Sequence, residues 1–89
     1  MDLNDYRLQL DAIDTQMKEL FIKRMDISKD IARYKLANGL AIFDASREAQ
    51  VLETRSAGTG EYQELVKKYF QTLMDLSKEV QKGVVDGEK

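Results

Sequence analysis

The sequence predicts an all-α protein of three helices per chain, one of them very long, paired with a second copy as an intertwined antiparallel helical homodimer. Three observations carry this reading. The chain contains no proline, the residue that most reliably breaks a helix. From Leu3 to about Leu36 it contains no glycine either, and apolar residues recur three and four apart, at Leu3, Tyr6, Leu10, Ile13, Met17 and Leu20, then Ile27, Ile31 and Tyr34. That heptad-like seam is the pattern of a helix with one stripe to bury. Finally, Asn38-Gly39 and Gly58-Thr59-Gly60 divide the chain into three helical stretches.

The first helix covers about residues 3–36, and roughly 34 residues at the standard rise span about 50 Å. Asn38-Gly39 is a helix-stop and turn signal, and residues 37–44 form a connection. Asp44 is a good N-cap for a second helix over about 45–56. Val51 and Leu52 give that helix a short apolar face, and Gly58-Thr59-Gly60 ends it. The third helix covers about 61–82, with Leu65, Val66, Tyr69, Phe70, Leu73, Met74 and Val80 as its buried stripe. Gly83 stops it, and residues 83–89 are a frayed tail. The 89 residues make a single domain.

The dimer follows from size. A compact chain of this length has a radius of gyration of about 12 Å. Two shorter helices cannot cover a helix of about 50 Å, so its seam would remain an apolar strip, and such strips are association surfaces. Twofold pairing of two long helices, antiparallel, covers it.

Absences narrow the chemistry. The chain has no Cys and no His, which excludes a disulfide, a thiolate nucleophile and a Cys-ligated zinc site, and removes the commonest general base. Catalysis is left to Arg, Lys, Asp, Glu, Ser, Gln or Tyr, residues suited to electrostatic stabilisation and positioning. The absence of His also removes the commonest metal ligand. A net charge of −2 gives no bulk attraction to nucleic acid. No apolar run is long enough to span a membrane. The acidic, polar start MDLNDYRLQL is unlike a secretory signal, so a cytoplasmic location is expected.

Several polar residues stand where apolar ones belong. Arg24 occupies the next position of the first helix's seam, and Arg24, Ser28, Ile31 and Lys35 share one face. Ser77 and Gln81 continue the apolar line of Val66, Phe70 and Met74, and buried there they need hydrogen-bond partners. Arg47 and Glu48 open the second helix just after Asp44. Arg7 lies 17 residues before Arg24, roughly 25 Å away on one helix. The two cannot hold one small ligand within a chain, but in an antiparallel dimer Arg7 of one chain can close a pocket built by the other.

Taken together, Arg7, Arg24, Lys35, the run IFDASREAQVL with Asp44, Arg47 and Glu48, and the pair Ser77 and Gln81 resemble the all-helical chorismate mutase family over about residues 3–81. The most specific segment matches the family's I-x-D-x-x-R-E run. The chain departs from the family at Ala41, where many members carry proline. The resemblance implies an isomerase that rearranges the dicarboxylate chorismate to prephenate, toward Phe and Tyr, a reaction for which no cofactor and no metal are expected. It implies that Arg24, with Arg7 of the partner subunit, clamps the carboxylates. Lys35 and Gln81 would donate toward the ether oxygen, and Glu48 with the backbone around Asp44 would hold the ring hydroxyl. Ser77 and Arg47 would support a carboxylate, and Ile31 and Met74 would supply apolar walls. Two other readings stay open on sequence: an isochorismate–pyruvate lyase on the same scaffold, and a non-catalytic helical dimerisation or regulatory module.

Overall fold

The computed structural model describes residues 1–87, and these form three α-helices: α1 (Leu3–Ala37), α2 (Ala45–Ser56) and α3 (Gln63–Gly87). One turn of 3₁₀ helix at Gly60–Tyr62 leads into α3. The chain is all-α, as its patterning predicts.

Local chemistry explains the boundaries. α1 opens on a capping box: the Asp5 amide donates to the Asp2 carboxylate and the Asp2 amide to the Asp5 carboxylate, both at 3.0 Å. Two amides without helical partners are thereby satisfied. α1 closes in a Schellman turn, with the Leu40 amide donating to the Lys35 carbonyl at 2.8 Å and the Gly39 amide to the Leu36 carbonyl at 3.4 Å. Gly39 adopts φ +67°, a conformation that favours glycine. α2 begins where Asp44 accepts the Arg47 amide at 3.0 Å. Losing this cap should cost about 1 kcal/mol, or roughly 4–8 °C in melting temperature for a domain of this size. Asp44→Ala should melt lower by that amount, while Asp44→Asn, an equally good cap, should melt close to the unaltered protein. Equal melting of the two variants in a thermal scan would refute the assignment.

α3 differs from expectation at both ends. It starts at Gln63, after the 3₁₀ turn, and it does not stop at Gly83 but continues to Gly87. A glycine inside a helix costs about 1 kcal/mol. Val84 and Val85, both half-buried beyond it, carry the apolar side of α3 further and offset that cost. The tail expected to fray over 83–89 is therefore helical through residue 87. Glu88 and Lys89 lie outside the described residues.

α3 packs against both α1 and α2. The core is small: Met25 and Ala32 from α1, Val51 from α2, and Leu73 and Met74 from α3. Of the stripe expected on α3, only Leu73 and Met74 are buried. Val66, Phe70 and Val80 are half-buried, and Leu65 and Tyr69 are exposed, on a side of α3 that no described part of the chain covers.

Residues 3–23 of α1 are exposed throughout, and Leu20, in the middle of the seam, is 62% exposed. The chain is elongated accordingly. Its radius of gyration is 16.3 Å and its long axis 54 Å, against about 12 Å for the radius of a compact chain of this length. Among the described residues, no helix is long and apolar enough to cross a membrane.

Candidate active site

The polar interruptions of the apolar stripes meet at one cleft of about 410 Å³, a size suited to a small organic molecule. The C-terminal half of α1 contributes Arg24, Ile27, Ser28, Ile31 and Lys35. Ile42 and Asp44 come from the connection, and Arg47, Glu48, Val51 and Arg55 from α2. The opposite wall is Met74, Ser77, Lys78 and Gln81 of α3. Five cationic side chains here face two carboxylates. The cleft is thus net positive on a chain whose overall charge is −2.

Arg24 is half-buried, and among the described residues its guanidinium has no ion-pair partner. A cation held partly out of water without a counter-ion favours an anionic ligand. Lys35, also half-buried, donates one hydrogen to the Ile42 carbonyl at 2.7 Å. This ties the end of α1 to the connection and leaves two ammonium hydrogens for other acceptors. Arg47 is exposed at the rim, its guanidinium on the Gln50 side chain at 2.7 Å.

Ser77 and Gln81 are both buried, as residues on the core line should be. A short hydrogen-bond relay crosses from α3 to α1 through Ser77 and Ser28, and it has one consistent direction. The Ser28 hydroxyl donates its single hydrogen to the Arg24 carbonyl at 3.0 Å. In its 2.6 Å contact with Ser77 Ser28 must then accept, and Ser77 donates. Ser77 in turn accepts from Gln81 Nε2 at 3.2 Å. The relay therefore fixes the Gln81 amide. One Nε2 hydrogen is engaged and the other is available to an acceptor. Gln81 Oε1 is buried with no hydrogen-bond partner among the described residues, an omission expected where a ligand or water belongs.

Glu48 is held at both oxygens. Gln71 Nε2 donates to Oε1 at 3.2 Å, and the Lys78 ammonium lies 2.9 Å from Oε2. The hydrogen bond to Glu48, the largest influence, holds the Lys78 ammonium above the ordinary lysine range, with Asp75 adding to it and partial desolvation opposing.

Of the residues singled out by sequence, Arg24, Lys35, Asp44, Arg47, Glu48, Ser77 and Gln81 are brought to this cleft. Arg7 is not: it is exposed on the far end of α1. The sequence reading missed Lys78 and Arg55 as lining residues and Gln71 as a support of Glu48. Lys78 directly follows Ser77 and Arg55 lies one turn beyond Val51, so helical spacing from those two residues was the signal available.

Fold and cleft define the class: an all-helical protein with a net-positive cleft of small-molecule size between its three helices. The chain matches the family described as chorismate mutase type II over residues 6–82, and it belongs to that family. It is 32% identical to the T-protein of Haemophilus influenzae over 53 residues, or 60% of the chain. It is 37% identical to the 3-dehydroquinate dehydratase of Pyrobaculum aerophilum over 75 residues, or 84% of the chain. The matches cover only 14% and 22% of those longer proteins. No solved structure matches the chain.

Proposed function

We propose that the protein is a chorismate mutase, an isomerase that converts chorismate to prephenate, working as an antiparallel homodimer. The observation that carries this reading is the Arg24 guanidinium, without an ion-pair partner among the described residues, in a cleft shared with Lys35, Glu48 and Gln81.

The reaction is an intramolecular Claisen rearrangement. The ether C–O bond breaks as a C–C bond forms between the enolpyruvyl arm and the ring, with the electrons moving round a six-membered cycle. No proton is transferred, so the lack of His and Cys is no obstacle. The catalyst must clamp two carboxylates, hold the arm folded over the ring, and stabilise negative charge growing on the ether oxygen. Arg24 suits the first task because its fork binds a carboxylate bidentately, Arg47 at the rim can assist, and Ser77, whose one hydrogen goes to Ser28, serves by fixing the Gln81 amide. Lys35 and the free Nε2 hydrogen of Gln81 serve the ether oxygen. Glu48 accepts the ring hydroxyl beside the backbone around Asp44, while Ile31 and Met74 wall the pocket.

The dimer rests on the bare half of α1. Its apolar seam from Leu3 to Leu20 is exposed, a contiguous strip of the kind that associates. Antiparallel packing on a second copy would cover both seams and bring Arg7 of one chain to the other chain's cleft.

The test is to incubate purified protein with chorismate, follow loss of its ultraviolet absorbance and identify the product. Prephenate should form, and Arg24→Ala should abolish its formation. No loss of chorismate with a folded, dimeric protein would overturn the reading. Salicylate and pyruvate formed from isochorismate would favour the lyase.

A further inference from the structure

We propose that Lys78 is a positioning residue for Glu48. It holds that carboxylate ready for the substrate's ring hydroxyl, at the hub of a clamp that joins the connection, α2 and α3. The proposal rests on the reading of the cleft as a chorismate site.

The geometry of three elements carries it. Lys78, on α3, places its ammonium 2.9 Å from Oε2 of Glu48, on α2. The same ammonium lies 3.4 Å from Asp75 and 5.0 Å from the ring centroid of Phe43, in the connection. Phe43 directly precedes Asp44, the cap of α2. One cation therefore binds the connection through a cation–π contact, α2 through an ion pair, and its own helix through Asp75. Surface ion pairs contribute little, but the Glu48 side chain here is only 16% exposed and that of Lys78 only 30%. Both residues also line the cleft.

The chemistry of the site explains why Glu48 needs this hold. A carboxylate in a pocket for a dianion repels the ligand it must bind. Lys78 cancels that charge locally, and Gln71 fixes the other oxygen at 3.2 Å. Each oxygen accepts one bond from the protein and keeps a lone pair for a hydroxyl. A free glutamate would lose rotamer freedom on binding substrate, whereas one held at two points has already lost it. Because the Lys78 ammonium is directed at Glu48 and Asp75, its effect on the substrate passes through Glu48.

Steady-state kinetics of Lys78→Met, Lys78→Arg, Glu48→Gln and the Lys78→Met/Glu48→Gln double variant, with thermal melting of each, test the proposal. The hydroxyl contact exists in both ground and transition states, so its loss falls mainly on KM. Lys78→Met should raise KM about tenfold, the order expected for losing a charged hydrogen bond, and change kcat by less than about threefold. Lys78→Arg should recover most of the loss. In the Glu48→Gln background, Lys78→Met should add little, because the two side chains act as a unit. An unchanged KM in Lys78→Met, equal losses in both backgrounds, or no recovery by arginine in a folded variant would each overturn the proposal. If the unaltered protein does not consume chorismate, the functional reading falls and this proposal falls with it. If it does and only these variants behave otherwise, the positioning role alone is refuted.

Discussion

Replacing Lys35 by alanine should lower kcat for chorismate by about a hundredfold to a thousandfold, the range for removing one donor to a developing oxyanion. Lys35 is half-buried at the cleft wall. Its bond to the Ile42 carbonyl at 2.7 Å limits where the ammonium can reach. A cation fixed in advance does not reorganise as charge grows on the ether oxygen, and partial exclusion of water strengthens its effect. Because that charge exists mainly in the transition state, the loss should fall on kcat more than on KM. Arginine should not restore the rate, since a planar fork cannot reproduce a compact ammonium that also bonds Ile42. Initial rates at saturating chorismate decide the matter, with melting temperature as the check on folding. Near-normal turnover in folded Lys35→Ala would remove Lys35 from the chemistry.

The elements legible in the sequence were those set by local physics. Asn38-Gly39 stops α1 because a left-handed residue is needed there, and Asp44 caps α2 through its own side chain. Ser77 and Gln81 stand out because polar groups on a core line require partners, and the relay to Ser28 supplies them for the Ser77 hydroxyl and Gln81 Nε2. What could not be read depended on contacts distant in sequence. Lys78 looks like any helix-surface lysine until α2 brings Glu48 to it across 30 positions. The end of α3 is not legible because glycine is a strong local stop signal, whereas the partial burial of Val84 and Val85 is set by the folded chain. Leu65 and Tyr69 follow the apolar rhythm of α3 but lie exposed. Periodicity marks a face suited to burial without saying what covers it.

Mixing two inactive variants should restore activity. On its own, Arg7→Ala should lose most turnover, and so should Arg24→Ala. Within one chain the two residues are 17 positions apart on a continuous helix, roughly 25 Å, so a pocket using both must draw them from different copies. If the variants are unfolded together and refolded at equal concentration, random pairing makes about half the dimers mixed. In a mixed dimer, one cleft takes Arg24 from the Arg7→Ala chain and Arg7 from the Arg24→Ala chain, and is complete. The other cleft lacks both. One complete cleft in half of the dimers gives about a quarter of the unaltered activity, well above either variant alone. If Arg7 instead served its own chain's cleft, every cleft in the mixture would lack one arginine and mixing would restore nothing. A specific activity near a quarter would therefore establish the dimer and the shared cleft together. No gain over the separate variants, with mixed dimers shown to be present, would rule out Arg7 as the partner's contribution.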